Sequence, residues 1–583
     1  MVRKLTTSLA QVSSKSQPFP IWTIATVSLA LLMVLPLVSV LSSLFSDTRT
    51  VWQHLITTVL GEYILNSLIL MVGVGAGVAI VGTTCAWLVT MCQFRGRSIF
   101  QWALLLPLAA PAYILAYTYT DLLEYYGPVQ SLLRQWFGWN NAQDYWFPNV
   151  RSIPGAIVMF VLVLYPYVYL LARSAFSNQS SITLEASRSL GCTPWQGFLK
   201  VALPMARPAI MAGLSLALME TLNDYGTVEF FAVPTFTTGI FRTWLGQGER
   251  AAAMQLAVLL LSFIAILVIL ERQSRTRQRY YQTSQTTETK RYVLRNWHQW
   301  AAIGICSLPI VLGFGIPVSV LAFLIKGDRS TTNDINSTSG DGDYGTAISG
   351  EFLANAPDPF WGYAIHSFTL ATTAATIAVI IAIILAYGQR LQPSKLKGWA
   401  IQCATLGYAI PGAVIAIGAM VPLGKFDNAL DSWMRSQFNI STGLLLSGTI
   451  FALVFAYLVR FLAVGYGAVE SSLNSIKPNL DNAARSLGLN TVQTLFQIHL
   501  PLMRSGLISA AILVFVDVMK ELPVTLIMRP LNYDTLAVRV FNLASDERLS
   551  EAALPALTIV LVGLLPVLVL SWQMGNTIIK RQR

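Results

Sequence analysis

The chain has 583 residues, of which 54% are hydrophobic and only 11% charged, and its mean hydropathy is +0.57. Covering a soluble protein takes roughly 25–35% charged residues on the surface, so the composition excludes a water-soluble fold. The net charge of +11 is spread between long apolar runs, so we expect it to orient the chain in a membrane and expect no nucleic-acid partner.

About 20 consecutive apolar residues span a bilayer as a helix, and such runs recur along the whole chain. The first, 21–44, follows a basic tail (residues 1–20) that resembles a signal peptide. Its length and the lack of a small-residue cleavage site favour a retained helix. We predict an all-α membrane protein with about twelve transmembrane helices. The predicted spans are 21–44, 64–91, 99–119, 153–172, 208–222, 252–270, 300–325, 366–388, 399–421, 444–463, 505–527 and 553–572.

The distribution of charge predicts the orientation. With an even number of spans both termini lie on one side, and placing them in the cytoplasm puts most Lys and Arg residues in cytoplasmic segments. The basic segment 272–299 is then a cytoplasmic linker, and its Arg residues favour an anchor at anionic headgroups over a ligand site. An external loop at about 326–360 is rich in Gly, Ser, Thr and Asp, and we expect it to be flexible.

The chain contains an internal duplication. A shift of 297 residues superposes 188–207 on 485–504 with eight of twenty positions identical, and a shift of 300 places Pro111 on Pro411. Six spans in each half give two repeats of the same orientation, 21–271 and 300–583, related by an axis along the membrane normal. A transport pathway between them is the expected consequence.

Each repeat carries a similar segment between its fourth and fifth spans, at about 180–200 and 477–497. Helix-forming residues precede Gly191 or Gly488, which suit a left-handed helix end, and the N-cap residues Thr193 and Asn490 predict a second short helix lying across the cytoplasmic surface. Small side chains would let another protein approach closely. A single amphipathic helix in a cytoplasmic loop would be unremarkable, but two at equivalent places favour a docking role. The residues concerned are Glu185, Ala186, Ser187, Arg188, Leu190 and Gly191, and Asn482, Ala483, Ala484, Arg485, Leu487 and Gly488.

These segments resemble the signature of inner-membrane permeases of type I ATP-binding-cassette importers, which reads Glu-Ala-Ala, three residues, Gly, nine residues, Leu-Pro. Ser187 and Asn482 depart from the pattern. The resemblance implies that each segment is a coupling helix that docks into a cytoplasmic ATPase, which we expect to be a dimer, and that a periplasmic binding protein delivers the substrate. The fused two-repeat form is similar to ferric iron and thiamine permeases, with sulfate, putrescine and phosphonate permeases more distant.

Four acids lie in the predicted fifth spans or directly after them, and within a span a carboxylate costs at least about 2.5 kcal/mol. Glu220 and Asp224 in the first repeat correspond, by the same shift of 297, to Asp517 and Glu521 in the second. One interpretation places them along a translocation path, where oxygen ligands suit a hard cation such as ferric iron. The other pairs them with Lys520 or Arg residues to hold the repeats together. Neither implies a stable metal site, because a transported ion must leave again.

The sequence has no G-x-x-x-x-G-K-[ST] loop and no catalytic arrangement of Ser, His, Asp or Cys residues. We therefore expect a transport subunit that binds no cofactor and is not an enzyme, with ATP hydrolysed by its partner. A secondary transporter driven by an ion gradient is the alternative of a different class, and a structural scaffold fits the intramembrane acids poorly. Ferric iron is the preferred substrate and thiamine the next.

Overall fold

The computed structural model describes residues 20–177, 179, 189, 191, 193–276, 291–336 and 358–582. The predicted N-terminal tail, most of the first docking segment, and much of the linker and of the external loop lie outside this set. Within it the chain is helical apart from turns and one parallel pair of two-residue strands, Cys92–Gln93 with Tyr292–Val293. The structure agrees with the predicted all-α fold.

The α-helices of the first predicted repeat include four very short ones. They are Pro20–Ser42, Arg49–Thr58, Leu60–Met91, Arg97–Ala103, Ala112–Leu123, Pro128–Phe137, Ile153–Ser177, Pro194–Gly197, Leu203–Asn223, Gly226–Phe230, Phe236–Phe241 and Arg250–Thr276. Those of the remainder are Trp297–Ile310, Ile316–Asn336, Asp358–Leu391, Lys395–Ala404, Gly412–Phe438, Ile450–Asn474, Pro478–Ser486, Thr491–Thr494, Leu500–Met519, Pro523–Met528, Leu536–Ser545 and Leu549–Gln582. Short 3₁₀ or π turns are Ser43–Phe45, Leu106–Ala109, Phe198–Ala202, Arg242–Gly246, Val311–Gly315, Thr405–Ala409 and Leu495–His499.

Eleven of the helices in the described ranges are long and apolar enough to cross a membrane, or twelve if one bent pair counts as a span. The bent pair corrects the predicted straight span 99–119. Its two parts, 97–109 and 112–137, meet at an angle of 87°. The break falls at Pro111, which has no N–H to donate and which forces Ala110 into an extended conformation (φ −100°, ψ 123°).

The predicted spans 399–421 and 505–527 are also wrong in detail. The first is interrupted before Pro411, after which one helix runs from Gly412 to Phe438. The second ends at Met519, and a separate helix begins at Pro523. In both cases a proline removes a backbone donor that a continuous helix would need. The predicted external loop also begins later than expected, because the preceding helix continues to Asn336.

Small residues bring three helices of the first repeat close together. A Cβ atom built on Gly73 would lie 2.5 Å from Ile157, and one on Gly213 would lie 2.7 Å from the Cα atom of Val168. In lipid, helices associate through van der Waals packing, so glycines at such crossings allow the backbones to approach. The helices Leu60–Met91, Ile153–Ser177 and Leu203–Asn223 therefore form a tightly packed group.

The described residues divide into two compact units. One contains the described part of the chain up to Leu35 together with Ala375–Tyr408 and Leu458–Val514, and the other contains the rest. Each unit draws segments from both predicted repeats. The second docking segment lies in the smaller unit, and all four intramembrane acids lie in the larger one.

Candidate functional site

The second docking segment is a short helix with a defined end. The helix Pro478–Ser486 starts with proline in its first turn, where the missing N–H costs nothing. At its end Gly488 has φ +79°, its N–H donates to Arg485 O at 3.0 Å, and the Leu489 N–H donates to Ala484 O at 3.1 Å. This pair of hydrogen bonds is the Schellman motif. The predicted left-handed helix end is confirmed.

The helix after the glycine is not a separate short helix, as the sequence had suggested. Asn490 caps it, and its side chain and that of Gln493 each accept a backbone N–H of the other residue. The helix then continues through the π turn Leu495–His499 and reaches Met519 as one span. A π turn widens the helix just before Pro501, which accommodates a ring that would otherwise clash with a preceding carbonyl.

In the first repeat the corresponding residues are only partly described. Glu185, Ala186, Ser187, Arg188 and Leu190 lie outside the described residues. Gly191 has φ +83°, and Thr193 and Gln196 form the same reciprocal cap that Asn490 and Gln493 form. Here too the helix passes through a π turn, Phe198–Ala202, into the span without a break. The equivalence of the two segments therefore extends to their local geometry.

Most side chains of the second segment are exposed. Leu480 is 41% exposed and Leu487 is 80% exposed, whereas Ala484 is buried. Asn482, Ala483, Arg485 and Gly488 are also exposed. The exposed surface is apolar and basic, and no large side chain surrounds Gly488. Such a surface allows another protein to dock closely.

A polar network that the sequence analysis missed attaches this helix to the spans. Asp481 accepts a hydrogen bond from Arg390 Nε at 3.0 Å, and its other oxygen is 2.6 Å from His499 Nε2. Arg390 also donates to the carbonyls of Leu473 at 2.5 Å and Ile476 at 2.9 Å. Arg390 ends one span, His499 begins another, and Asp481 joins both to the docking helix. The sequence signal for this network was Asp481 itself, an acid directly before Asn482 in the second docking segment.

Two of the intramembrane acids cap short helices. Asp224 follows the span Leu203–Asn223, and its Oδ1 accepts the backbone N–H of Thr227 at 2.8 Å. Glu521 occupies the equivalent place, and its Oε1 accepts the N–H of Val524 at 3.2 Å. Each carboxylate therefore sits where a span stops and a short helix restarts, at the positive end of that helix. In both repeats the span therefore ends within a few residues of its capping acid.

The other two acids lie near a cation, and one of them contacts it. Lys520 Nζ lies 3.1 Å from Asp517 Oδ1, and Glu220 of the first repeat contributes to the electrostatic environment of the same ammonium. A charge shared in this way stabilises carboxylates that would be costly alone in lipid. Gly226 lies against Leu522, because a Cβ atom built on it would be 2.9 Å from Leu522 Cδ2. The helix breaks of the two repeats are thus in contact.

No group of three or more His, Cys, Asp or Glu residues in the described ranges could hold a metal ion. The four acids occur instead as one capping acid per repeat, Asp517 paired with Lys520, and Glu220 within electrostatic range of the same ammonium. In the described residues these acids therefore act as helix caps and as partners of a cation.

Comparison with known proteins identifies the class. The family model of the binding-protein-dependent transport system inner membrane component matches residues 81–280 and again 378–577. The chain belongs to this family. The double match agrees with the duplication, and membership makes the protein an inner-membrane transport subunit whose partners include a binding protein and an ATP-binding-cassette ATPase.

Two relatives extend over most of the chain, and a third covers about one repeat. The Fe(3+)-transport system permease protein FbpB 2 of Haemophilus influenzae is 26% identical over 88% of this chain and 90% of its own length. The ferric transport system permease protein FbpB of Actinobacillus pleuropneumoniae is 22% identical over 94% of this chain and 77% of its own length. The molybdenum transport system permease protein ModB of Escherichia coli is 26% identical over 32% of this chain and 82% of its own length.

Proposed function

We propose that this permease imports ferric iron, delivered by a periplasmic binding protein, across the inner membrane. The observation that supports the substrate most directly is the extent of similarity. The two ferric permeases match 88% and 94% of the chain, whereas the molybdenum permease matches about one repeat. Carboxylate oxygens at Glu220, Asp224, Asp517 and Glu521 agree with a hard cation, and we propose that these four acids flank its path.

In this proposal the ATPase drives transport through the two docking segments. Both face the cytoplasm, as do both termini, and each enters one subunit of an ATPase dimer. Closure of that dimer pulls on the helix Pro478–Ser486, and the network around Asp481 transmits the force to the ends of two spans. The exposed Leu480 and Leu487 support this role because apolar side chains on a short surface helix are suited to a protein partner.

The substrate is tested by reconstituting the permease with its ATPase in liposomes and adding binding protein loaded with radiolabelled Fe³⁺. We expect accumulation that requires ATP and binding protein. Radiolabelled thiamine serves as the competing substrate, and accumulation of thiamine without iron would replace the proposed substrate. Uptake that persists without ATP but collapses with an ion gradient would support the secondary-transporter alternative.

The docking role has its own test. Gly191→Asp together with Gly488→Asp places a charged side chain at a left-handed position in each segment, and we expect loss of ATPase binding and of uptake. The same pair of changes leaving both intact would rule out coupling at these segments. Gly138→Asp, at a left-handed helix end far along the chain from either segment, is the matched control.

A further inference from the structure

One face of the helix Ala112–Leu123 carries buried hydroxyl groups that lack hydrogen-bond partners in the described part of the chain. The hydroxyls of Tyr113, Tyr117 and Thr120 are buried, and in the described part of the protein none has a hydrogen-bond partner. The side chains are 3%, 1% and 0% exposed. Their spacing of four and three residues places them in one line along the helix. Buried polar groups nearly always have a hydrogen-bond partner, so a line of unpaired oxygens indicates a ligand that binds transiently.

The inner end of this line meets the helix breaks. Tyr113 lies within electrostatic range of both Asp224 and Glu521. A Cβ atom built on Gly226 would be 2.9 Å from Tyr113 Cβ, which places the tyrosine against the first break. The amide of Asn223, beside Asp224, is also buried without a partner among the described residues. Neutral oxygens and carboxylates from both repeats are therefore gathered at one point.

A cavity lies just beyond the outer end of the line, because Glu124 follows Thr120 by four residues. Glu124 directly follows the helix and lines a cavity of about 360 Å³ together with Tyr125, Gln130 and Tyr145. Its carboxylate is 43% exposed and lies 2.6 Å from Arg151. Tyr113, Tyr117, Thr120 and Glu124 thus follow one another at spacings of four, three and four residues between the buried acids and an accessible cavity.

The second repeat lacks this feature. The shift of 300 that aligns Pro111 with Pro411 places Ala413, Ile417 and Met420 where the first repeat has its two tyrosines and threonine. The corresponding face of the helix Gly412–Phe438 is therefore apolar. An arrangement required only for folding would be expected in both repeats, so its presence in one indicates a task that is performed once.

We propose that Tyr113, Tyr117 and Thr120 form the outer half of the translocation path, an oxygen-lined track along which a hard cation passes from the cavity at Glu124 to Asp224 and Glu521. The inference rests on the proposed import of ferric iron and names the residues that would carry the ion. Phenol, hydroxyl and carboxylate oxygens are hard ligands, and the track contains no sulfur or imidazole. Each oxygen contacts the ion only briefly, which allows release.

The test replaces the hydroxyls without changing the packing. Tyr113→Phe with Tyr117→Phe should lower Fe³⁺ uptake by about tenfold per ATP hydrolysed, since a hydrogen bond or ligand to a charged group is worth a factor of that order. The reconstituted complex is used, with Fe³⁺-loaded binding protein. The melting temperature should stay the same or rise, because the change removes unpaired buried hydroxyls. A merely structural role would not give lower uptake with undiminished stability.

Tyr165→Phe is the matched control. Tyr165 is also fully buried, but its hydroxyl donates to Leu104 O at 2.9 Å. Its loss should lower the melting temperature and leave uptake per folded transporter unchanged. Normal Fe³⁺ uptake by the double phenylalanine variant would overturn the track while leaving iron import intact. If the unaltered complex takes up no Fe³⁺, the proposed substrate falls and the track assignment falls with it.

Discussion

Asp481 offers the most direct test of how the second docking helix is held. Its side chain is 22% exposed, that of Arg390 is 13% exposed and that of His499 is 1% exposed, so the network is mostly buried. Removing one partner of a fully buried pair costs about 3–5 kcal/mol. An exposed pair contributes about 0.2–1 kcal/mol. Arg390 keeps its two carbonyl acceptors after the change, so we expect Asp481→Ala to cost about 2 kcal/mol.

The cost should appear as local detachment of the helix Pro478–Ser486. Because about 1.4 kcal/mol corresponds to tenfold in an equilibrium constant, 2 kcal/mol predicts about 30-fold faster hydrogen exchange at the amides that close the helix. The reporting amides are those of Leu487, Gly488 and Leu489, each bonded to a carbonyl within the helix. Uptake per ATP hydrolysed should fall in parallel, since a detached helix transmits less force.

A double-mutant cycle separates this network from general destabilisation. Asp481→Ala and Arg390→Ala should together cost clearly less than the sum of the single changes, because each alone already breaks their shared contact. Arg435→Ala is the control, since Arg435 lies 2.6 Å from Asp431 but is 61% exposed, and its loss should cost less than about 1 kcal/mol. Additive effects, or exchange that changes less than about threefold, would refute the reasoning.

Three further changes test particular features. The added methyl group of Gly488→Ala meets no atom within 4 Å, but the alanine is forced to φ +79°, so the change should lower stability by about 1 kcal/mol and reduce uptake. Gly443→Ala at φ +63° should lower stability equally and leave uptake normal in the transport assay. Gly213→Ala presses on the backbone of a neighbouring helix, so it should lower the free energy of unfolding by about 1–3 kcal/mol and with it the melting temperature. Gly304→Ala, in open space, should not lower the melting temperature, and equal effects of the two changes would contradict the packing. Asp224→Asn keeps an acceptor for Thr227 and should fold yet transport less, whereas Asp224→Ala should lose about 1 kcal/mol of stability, as thermal unfolding would report.

The parts of this protein that could be predicted from sequence depend on local chemistry. Apolar length predicts spans, because lipid leaves backbone groups no other partner. Gly488 predicts a left-handed helix end, and Asn490 predicts a cap, because each acts within a few residues of itself. The errors arose where a local signal had two outcomes. Pro501 is compatible with either a helix start or a π turn, and only the surrounding helix decides between them.

What the sequence alone determined is the class of molecule: a duplicated membrane protein with two similar helix-glycine segments at equivalent places. The tertiary structure decided which distant polar groups meet. Asp481 is separated from Arg390 by 91 residues, and Tyr113 is still further from Glu521. A neutral tyrosine in an apolar run gives no signal of its own. The sequence reads the same whether its hydroxyl is hydrogen-bonded to water or buried without a partner. The difference is one of burial, and burial exists only after the helices have packed.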